Sequence, residues 1–479
     1  SRRAFFVPTA KDFSLQMPTT YFLKYKNSLA GQVAEFLLGD GGYDLSSSEV
    51  WIPTAGAARR IRCVLAETGV LSPKFRQPMQ ALLPEGVPLA SRIEREGAWA
   101  QVLAGSSSEF LQPLFPDPRV ISSEAARLKS AGTLCDACDL LAEAGLNPTS
   151  PAVHKICEAD SDRWEVLAEL HRKAVRFLRR SGLIDPNEAR LAEIENPTPR
   201  PGLRRLVIAC IPDLPLAAQR RPNPQEWADC QLAVEESQIS IFRSPAEEAR
   251  GVLDFAAQAS SPGDYALVLA DPSLSPAFRA EIDARGGNAF LPEGENLEKT
   301  EPAVLLLEWM RFQESQDLRV LRRLCELPAF ARLLAGVGQT EGLAACDHLI
   351  AEVLLSDFDQ ARSYAGSLSE REGDEADGKM PVRVFVEKVD ALLSLAPRDL
   401  IPRAWRGGGE GIELARRISK LHAAIEASPV FQNWPEGVPA AFARAVRAES
   451  DFAVSQSGDV ELLGWLESPW IDAGRLGVC

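Results

Sequence analysis

The sequence predicts an α/β protein with two parallel-sheet cores, each interrupted by a large helical insertion. Short apolar runs typical of buried strands fall into two groups, and long segments with apolar residues at helical spacing lie within each group. Strands that alternate with helices in this way favour a parallel sheet built from right-handed crossovers. Because the same order of sheet, helical block and return to the sheet occurs twice, the layout also suggests an ancient duplication.

The first core is predicted from three strand-like runs, at residues 4–7, 49–52 and 205–210. A mostly helical block separates the last two runs. Three of its segments combine apolar residues near helical spacing with a terminal glycine, which is a common helix C-cap: 91–105, 122–145 and 162–182.

The second core is predicted from five strand-like runs: 238–242, 264–270, 288–291, 459–466 and 475–479. Ser244 and Glu247 form a capping-box pattern with Pro245 at the first helical position, so a helix should follow the first of these runs. Ser275 and Pro276 should open a second helix before the next strand.

The chain has 479 residues and 46% hydrophobic content, which is enough for more than one core. Strand placement divides it into two discontinuous cores and two insertions. The expected boundaries are 1–70 plus 201–235 for the first core, 71–200 for its insertion, 236–310 plus 455–479 for the incomplete second core, and 311–454 for its insertion.

Charge and cysteine usage restrict the function classes. The formal net charge of −15 opposes a general nucleic-acid-coating role, because phosphate binding needs clustered cations, but it leaves room for a local basic path. Nine scattered cysteines in a long chain indicate reduced intracellular thiols. The N-terminal segment is too weakly apolar for a signal peptide, and no uninterrupted apolar run of about 18 residues occurs. A soluble cytoplasmic protein without a membrane partner is expected.

The turn at residues 53–56 joins a predicted buried strand to a helix, which is where a P-loop binds nucleotide phosphates. A working P-loop needs a lysine for the phosphates and a Ser/Thr hydroxyl for magnesium, and this turn has no Gly-Lys-Ser/Thr sequence. Magnesium would also need an acidic pair after the neighbouring strand, where only Asp213 occurs. We expect a packing unit whose helix N-terminus can still attract anions, with a weak nucleotide site as the alternative. The residues of this degenerate nucleotide site are Thr54, Gly56, Arg59, Arg60 and Asp213.

Basic residues concentrate on one predicted helix. Arg172, Arg176 and Arg180 recur every four residues and therefore share one helix face. Residues 165–221 hold 11 Arg/Lys against 7 Asp/Glu, a net charge of +4 in an acidic chain. A solvated helix face is the ordinary interpretation, and contact with a DNA backbone is the alternative.

Cys135 and Cys138 form a lone CxxC pattern on a predicted helix. A zinc site would need a second pair or two suitably spaced histidines, so buried thiols are expected and a metal site is the alternative. No catalytic residue and no metal ligand is predicted.

The order of four stretches along the chain carries a family resemblance. They are VWIPTAGAARRIR; SGLIDPNEARLAEIEN with LRRLVIACIPDLPLAAQR; IFRSPAEEARGVLDF with YALVLADPSLSPAFRAEIDARG; and VELLGWLESPW. They resemble a degraded motif I, a helical insertion that returns to the motif II strand, the opening of a second core, and a degenerate motif V of UvrD-type superfamily one DNA helicases. The chain is more closely similar to AddB-like helicase/nuclease subunits.

The resemblance implies two RecA-like (P-loop NTPase-like) cores that hold DNA without hydrolysing ATP. It implies a role in recombination and double-strand-break repair, with binding of duplex DNA ends that carry a single-stranded tail, beside an AddA-like helicase-nuclease subunit. Glu467, in the motif V-like turn, would lie near the cleft between the cores. The DNA-binding candidates are Arg59, Arg60, Arg172, Arg176, Arg180 and Glu467.

The resemblance also bears on catalysis. Family members continue into a nuclease domain with exonuclease carboxylates, magnesium and, in some, iron–sulfur cysteines. This chain is expected to be an N-terminal fragment without them, inactive by itself and without a cofactor. The alternative function is a protein–protein docking scaffold for a helicase-nuclease partner, with no DNA contact of its own.

Overall fold

The computed structural model describes most of the chain, with gaps. The described residues are 19–23, 29–39, 43–156, 160–198, 200, 202–211, 213–219, 226–230, 240–258, 265–292, 294–334, 337–368, 382–405, 411–451, 459–471 and 475–479. The predicted strand at 4–7 lies outside these ranges. Within them, the protein is a mixed α/β chain, mostly helical, with two small parallel sheets.

The first sheet has five strands, all parallel, in the order β1-β5-β4-β2-β3. Their bounds are β1 Thr19–Leu23, β2 Ser48–Trp51, β3 Lys74–Arg76, β4 Arg205–Ala209 and β5 Glu226–Cys230. The predicted strands at 49–52 and 205–210 are confirmed as β2 and β4, which are buried over almost their whole length. The chain leaves β2 towards β3 and β4 towards β5, so the topological switch point of this sheet lies between β2 and β4.

The second sheet has four parallel strands in the order β11-β6-β10-β7. Their bounds are β6 Tyr265–Leu269, β7 Ala289–Phe290, β10 Val460–Gly464 and β11 Arg475–Val478. A separate antiparallel pair consists of β8 (Glu295–Asn296) and β9 (Ser450–Asp451). The predicted runs at 264–270, 288–291 and 475–479 are thereby confirmed as strands.

Two strand predictions in the second core need correction. The run at 459–466 is a strand only to Gly464, where a 3-10 helix, Trp465–Trp470, begins; Pro469 cannot donate to a sheet ladder. Of the run at 238–242, residues 240–242 are described and form no strand. Ile241 is 94% exposed, so this apolar residue has no sheet to pack on.

Helices flank the first sheet and fill the segment between β3 and β4. Their bounds are α1 Leu29–Leu38, α2 Ala55–Glu67, α3 Pro78–Ala81, α4 Arg92–Ala104, α5 Ser108–Leu111, α6 Glu124–Glu143, α7 Pro151–Ile156, α8 Ser161–Arg180, α9 Pro186–Glu195 and α10 Leu216–Gln219. The predicted helices at 91–105, 122–145 and 162–182 are confirmed as α4, α6 and α8. Ser91 and Glu94 form a capping box at the start of α4, and Gly105 caps its end.

Two helices flank the second sheet, and nine lie between β8 and β9 in the described residues. Their bounds are α11 Pro245–Ala256, α12 Ser275–Ala284, α13 Glu301–Ser315, α14 Leu318–Cys325, α15 Pro328–Leu333, α16 Gln339–Asp347, α17 Phe358–Ser367, α18 Val382–Leu393, α19 Pro397–Ala404, α20 Ile412–Ala427 and α21 Val438–Ala448. α11 starts as predicted, with the Ser244 side chain accepting from the Glu247 backbone N–H and Pro245 in the first turn.

The two helical blocks share one apolar core. Buried side chains from α4, α6 and α8 form a single cluster with those of the segment between β8 and β9. Gly97 on α4 allows this contact, because a Cβ atom there would lie 2.6 Å from the Phe431 ring and 2.8 Å from Val430. An ion pair between Glu96 and Arg444, with an N–O distance of 2.8 Å, joins α4 to α21. No pattern in the sequence predicts that the two helical blocks pack into one core.

Membrane insertion has no support among the helices of the described ranges. None of them has the length and apolarity that a membrane-spanning segment requires.

Candidate functional site

The strand–turn–helix unit that follows β2 is built as the sequence predicts. α2 begins directly after Thr54, whose Oγ1 accepts a hydrogen bond from the Ala57 backbone N–H at 3.1 Å. Ala57 and Ile61 on α2 are buried in the core of the first sheet. The Thr54 hydroxyl therefore serves as an N-cap, which satisfies one of the free amides of the first helical turn.

The turn lies beside the topological switch point. In open parallel sheets, ligands bind outside the carboxyl ends of the strands at such a point. Asp213 follows β4, the neighbour of β2, and is exposed at the same edge of the sheet. Among the described residues, no hydrogen bond joins Asp213 to Thr54 or Gly56.

The carboxylate of Glu467 lies against the first turn of α2. Glu467 belongs to the 3-10 helix after β10 and is only 7% exposed. A Cβ atom at Gly56 would fall inside its carboxylate group, so position 56 needs glycine to permit this close approach. Helix N-termini carry partial positive charge and attract anions. The Glu467 carboxylate therefore lies against Gly56, in the first turn of α2.

The segment that carries Glu467 is anchored in the first sheet. Trp470, at the end of the same 3-10 helix, is 2% exposed and belongs to the apolar core that contains Leu29, Val33 and Ile61. A fully buried tryptophan removes a large apolar surface from water. The chain that leaves the second sheet at Gly464 is therefore fixed to the first sheet.

Arg59 and Arg60 contact the second sheet. The Arg60 guanidinium donates to Glu461 on β10 at 2.9 Å, and Arg59 lies 3.7 Å from the same carboxylate. Arg59 also lies over the ring of Phe290 on β7, with 5.9 Å between the guanidinium carbon and the ring centroid. Two of the predicted DNA-binding candidates are thus engaged in contacts between the two sheets.

The basic face of α8 has a different environment. The apolar side of α8 is buried in the helical core, and Arg172, Arg176 and Arg180 are exposed on its other side. Arg172 pairs with Glu169 one turn earlier. Arg59 and Arg60 lie on α2 and these three arginines lie on α8, so the predicted basic residues belong to two separate helices.

A pocket of about 240 Å³ opens beside this face. Arg172, Arg176 and Arg179 line it, together with Asn147 and Glu188, whereas Arg180 does not. Glu188 accepts hydrogen bonds from His171 at 3.2 Å and from Asn147 at 3.1 Å. The hydrogen bond from His171 lowers the pKa of Glu188 below its ordinary value, against the opposing effect of burial.

The CxxC pair packs inside the helical core. Cys135 and Cys138 lie on α6 and are buried, and burial raises the pKa of the Cys135 thiol to about 12 and also raises that of Cys138. Within the described residues, no group of three His, Cys, Asp or Glu side chains could hold a metal ion.

No protein-family model matches the chain, and no curated protein matches it either. The geometry of the site is therefore the basis for assigning it a function. The sequence does not single out Glu461, Trp470, Asn147 or Glu188, whereas Arg179 flanks the predicted basic face. Glu461 is a charged residue in an otherwise apolar strand, and that contrast is the one sequence signal that could have drawn notice.

Proposed function

We propose that the chain is the non-hydrolysing, helicase-like, DNA-binding and scaffold part of an AddB-like double-strand-break repair complex. Its two sheets would be degenerate RecA-like cores, and its partner would be an AddA-like helicase-nuclease subunit that supplies ATP-driven motion. The parallel sheets, the strand–turn–helix unit at the switch point and the order of the family-like stretches support this proposal.

One observation carries the non-hydrolysing part. The Glu467 carboxylate lies against Gly56 in the first turn of α2, and the turn offers no lysine to attract nucleotide phosphates. Phosphoryl transfer depends on neutralising the phosphate charge, so a carboxylate at this place opposes both binding and hydrolysis of ATP. Cross-sheet contacts by Glu467 and Trp470 then serve to hold the two cores together.

The DNA-binding part depends on α8. Its exposed arginines carry positive charge on a chain whose overall charge is negative, and such a local basic face is what phosphate contacts require. Duplex ends with single-stranded tails are the proposed ligand, in line with the family resemblance.

The docking scaffold without DNA contact remains the second candidate function. The engagement of Arg59 and Arg60 with Glu461 favours it, because these two arginines are used inside the chain. The remaining candidates for DNA contact then reduce to the α8 face and its pocket.

Binding of a labelled, single-strand-tailed duplex across a salt titration tests the two candidates. The chain should bind with an affinity that falls steeply with salt, and Arg172→Ala/Arg176→Ala/Arg180→Ala should lower both the affinity and the slope, by about one unit per lost phosphate contact. A control with Arg250→Ala/Arg311→Ala/Arg416→Ala removes the same charge from exposed arginines elsewhere and should bind like the unchanged chain. No binding even at low salt would refute DNA binding and leave the scaffold function.

A further inference from the structure

The pocket beside α8 gathers three arginines around a small volume. Arg172, Arg176 and Arg179 all line its 240 Å³, and the opposite wall comes from the turn at Asn147 and from Glu188 on α9. Arg176 and Arg179 are exposed, and neither has an ion-pair partner in the part of the chain that the structure describes. Two guanidinium groups without a direct ion pair therefore line one site, where Glu188 is the nearest acid in the lining.

The charge of the pocket is positive. Its lining has three arginines and one glutamate, and Arg172 also pairs with Glu169 beside it, so the arginines still outnumber the acids. The single carboxylate of the lining, Glu188, already accepts hydrogen bonds from both His171 and Asn147. Like charges held close together repel one another, and a bound anion would relieve that repulsion.

The walls of the pocket are fixed before any ligand arrives. His171 is buried, and its contact with Glu188 ties α8 to α9. Asn147 joins the same glutamate and also holds its own turn, since its Oδ1 accepts from the Thr149 backbone N–H at 3.0 Å. Binding would then order little beyond the arginine side chains, which limits its entropic cost.

We propose that this pocket binds a single phosphate group. Its volume lies below the range of about 300–1,000 Å³ that holds drug-sized ligands, so one phosphoryl group fits better than a whole nucleotide. Guanidinium groups bind phosphate oxygens through paired N–H donors. The phosphate comes from nucleic acid if the proposed function holds, and in that respect the inference rests on it; free phosphate would bind by the same chemistry. Arg179, and not Arg180, joins Arg172 and Arg176 in this role.

The test uses the full chain, Arg176→Gln/Arg179→Gln, and a control, Arg119→Gln/Arg163→Gln, that removes two exposed arginines of the same helical block. One arm titrates inorganic phosphate at constant ionic strength and follows its ³¹P linewidth. The other measures the affinity for a short single-stranded oligonucleotide, with and without a 5′-phosphate, at fixed salt. Circular dichroism establishes that all variants are folded.

The pocket variant should lose the phosphate-induced broadening and bind the oligonucleotide about tenfold more weakly, while the control matches the unchanged chain. If the unchanged chain prefers the 5′-phosphorylated oligonucleotide and the pocket variant does not, the bound group is a terminal phosphate. If the pocket variant loses the same affinity for both oligonucleotides, the bound group is a backbone phosphate. Phosphate binding without oligonucleotide binding would support the pocket and refute the DNA-binding proposal. If the pocket variant still binds the oligonucleotide and phosphate broadens the signal of none of the proteins, the phosphate site is refuted. The DNA-binding proposal would then stand.

Discussion

Replacement of Gly56 by alanine tests the contact between Glu467 and α2. The added methyl group would clash with the carboxylate of Glu467, so the end of this buried side chain has to move. Glu467 must therefore leave the first turn of α2 or force the 3-10 helix away from the first sheet. Either response weakens the anchoring of Trp470.

The expected magnitude follows from two opposing terms. Overfilling a packed site typically costs about 1–3 kcal/mol. Alanine in place of glycine in a helix gains up to about 1 kcal/mol. Gly56→Ala should therefore lower the free energy of unfolding by up to about 2 kcal/mol. In a Glu467→Ala background the obstacle is gone, so the same change should be neutral or stabilising by up to about 1 kcal/mol.

Urea unfolding of the four proteins in this double-mutant cycle supplies the coupling energy between the two positions. A chain with several cores need not unfold in one step, so hydrogen exchange of the α2 amides identifies the transition that includes the first sheet. We expect a change of sign between the two backgrounds. Equal effects of Gly56→Ala in both would show that Glu467 does not lie against Gly56.

Two further predictions concern the helical part of the chain. The hydrogen bond from His171 lowers the pKa of Glu188, so Glu188 contributes stability above the carboxyl pKa of the unfolded chain, and that contribution is lost as the pH falls through the lower folded-state value. Acid unfolding of Glu188→Gln should accordingly lose less stability below about pH 4 than the unchanged chain, and parallel curves would contradict this. Gly97→Ala places a methyl group against the buried Phe431 and should lower the stability measured by thermal unfolding by about 1–3 kcal/mol. The control Gly105→Ala, whose Cβ would meet nothing closer than 3.5 Å, should cost less than about 1 kcal/mol. Equal costs for the two variants would refute the tight contact at Gly97.

The strands that the sequence reveals include the more buried ones, together with β11 at an exposed edge of the second sheet. β2, β4, β6 and β10 are short apolar runs, and burial of such runs in a parallel sheet is what their composition predicts. β3, Lys74–Arg76 at a sheet edge, has a single apolar residue between two cations, and β5, Glu226–Cys230, includes two acidic residues. Their pairing is decided by the neighbouring strand, so their own residues carry little signal.

The strand–turn–helix unit at residues 53–56 is predictable from the sequence, but the contact of Glu467 with Gly56 is not. A strand followed by Thr54 and a helix is a local pattern, and the absent lysine is visible in the sequence. The ion pair between Arg60 and Glu461 joins residues 401 positions apart. Such a contact depends on how the two sheets meet, which no local periodicity encodes. The spacing of four residues predicts Arg180 as the third member of the basic face. Arg179 lines the pocket instead, because the pocket depends on how α8 packs against other segments, which local spacing does not encode.

The contact made by Glu467 has a consequence for how the two sheets could move. A ligand shifts a conformational equilibrium only by the difference in its affinity for the two states. Here the group against the first turn of α2 is a side chain of the chain itself, and the same short segment also contributes Glu461 and Trp470 to the contact between the sheets. Under the proposed function, a nucleotide phosphate that approached this turn would meet Glu467 and the segment that Trp470 anchors. Under the proposed function, the two sheets therefore present a fixed surface to DNA, and any ATP-driven movement of that DNA has to originate in the partner subunit.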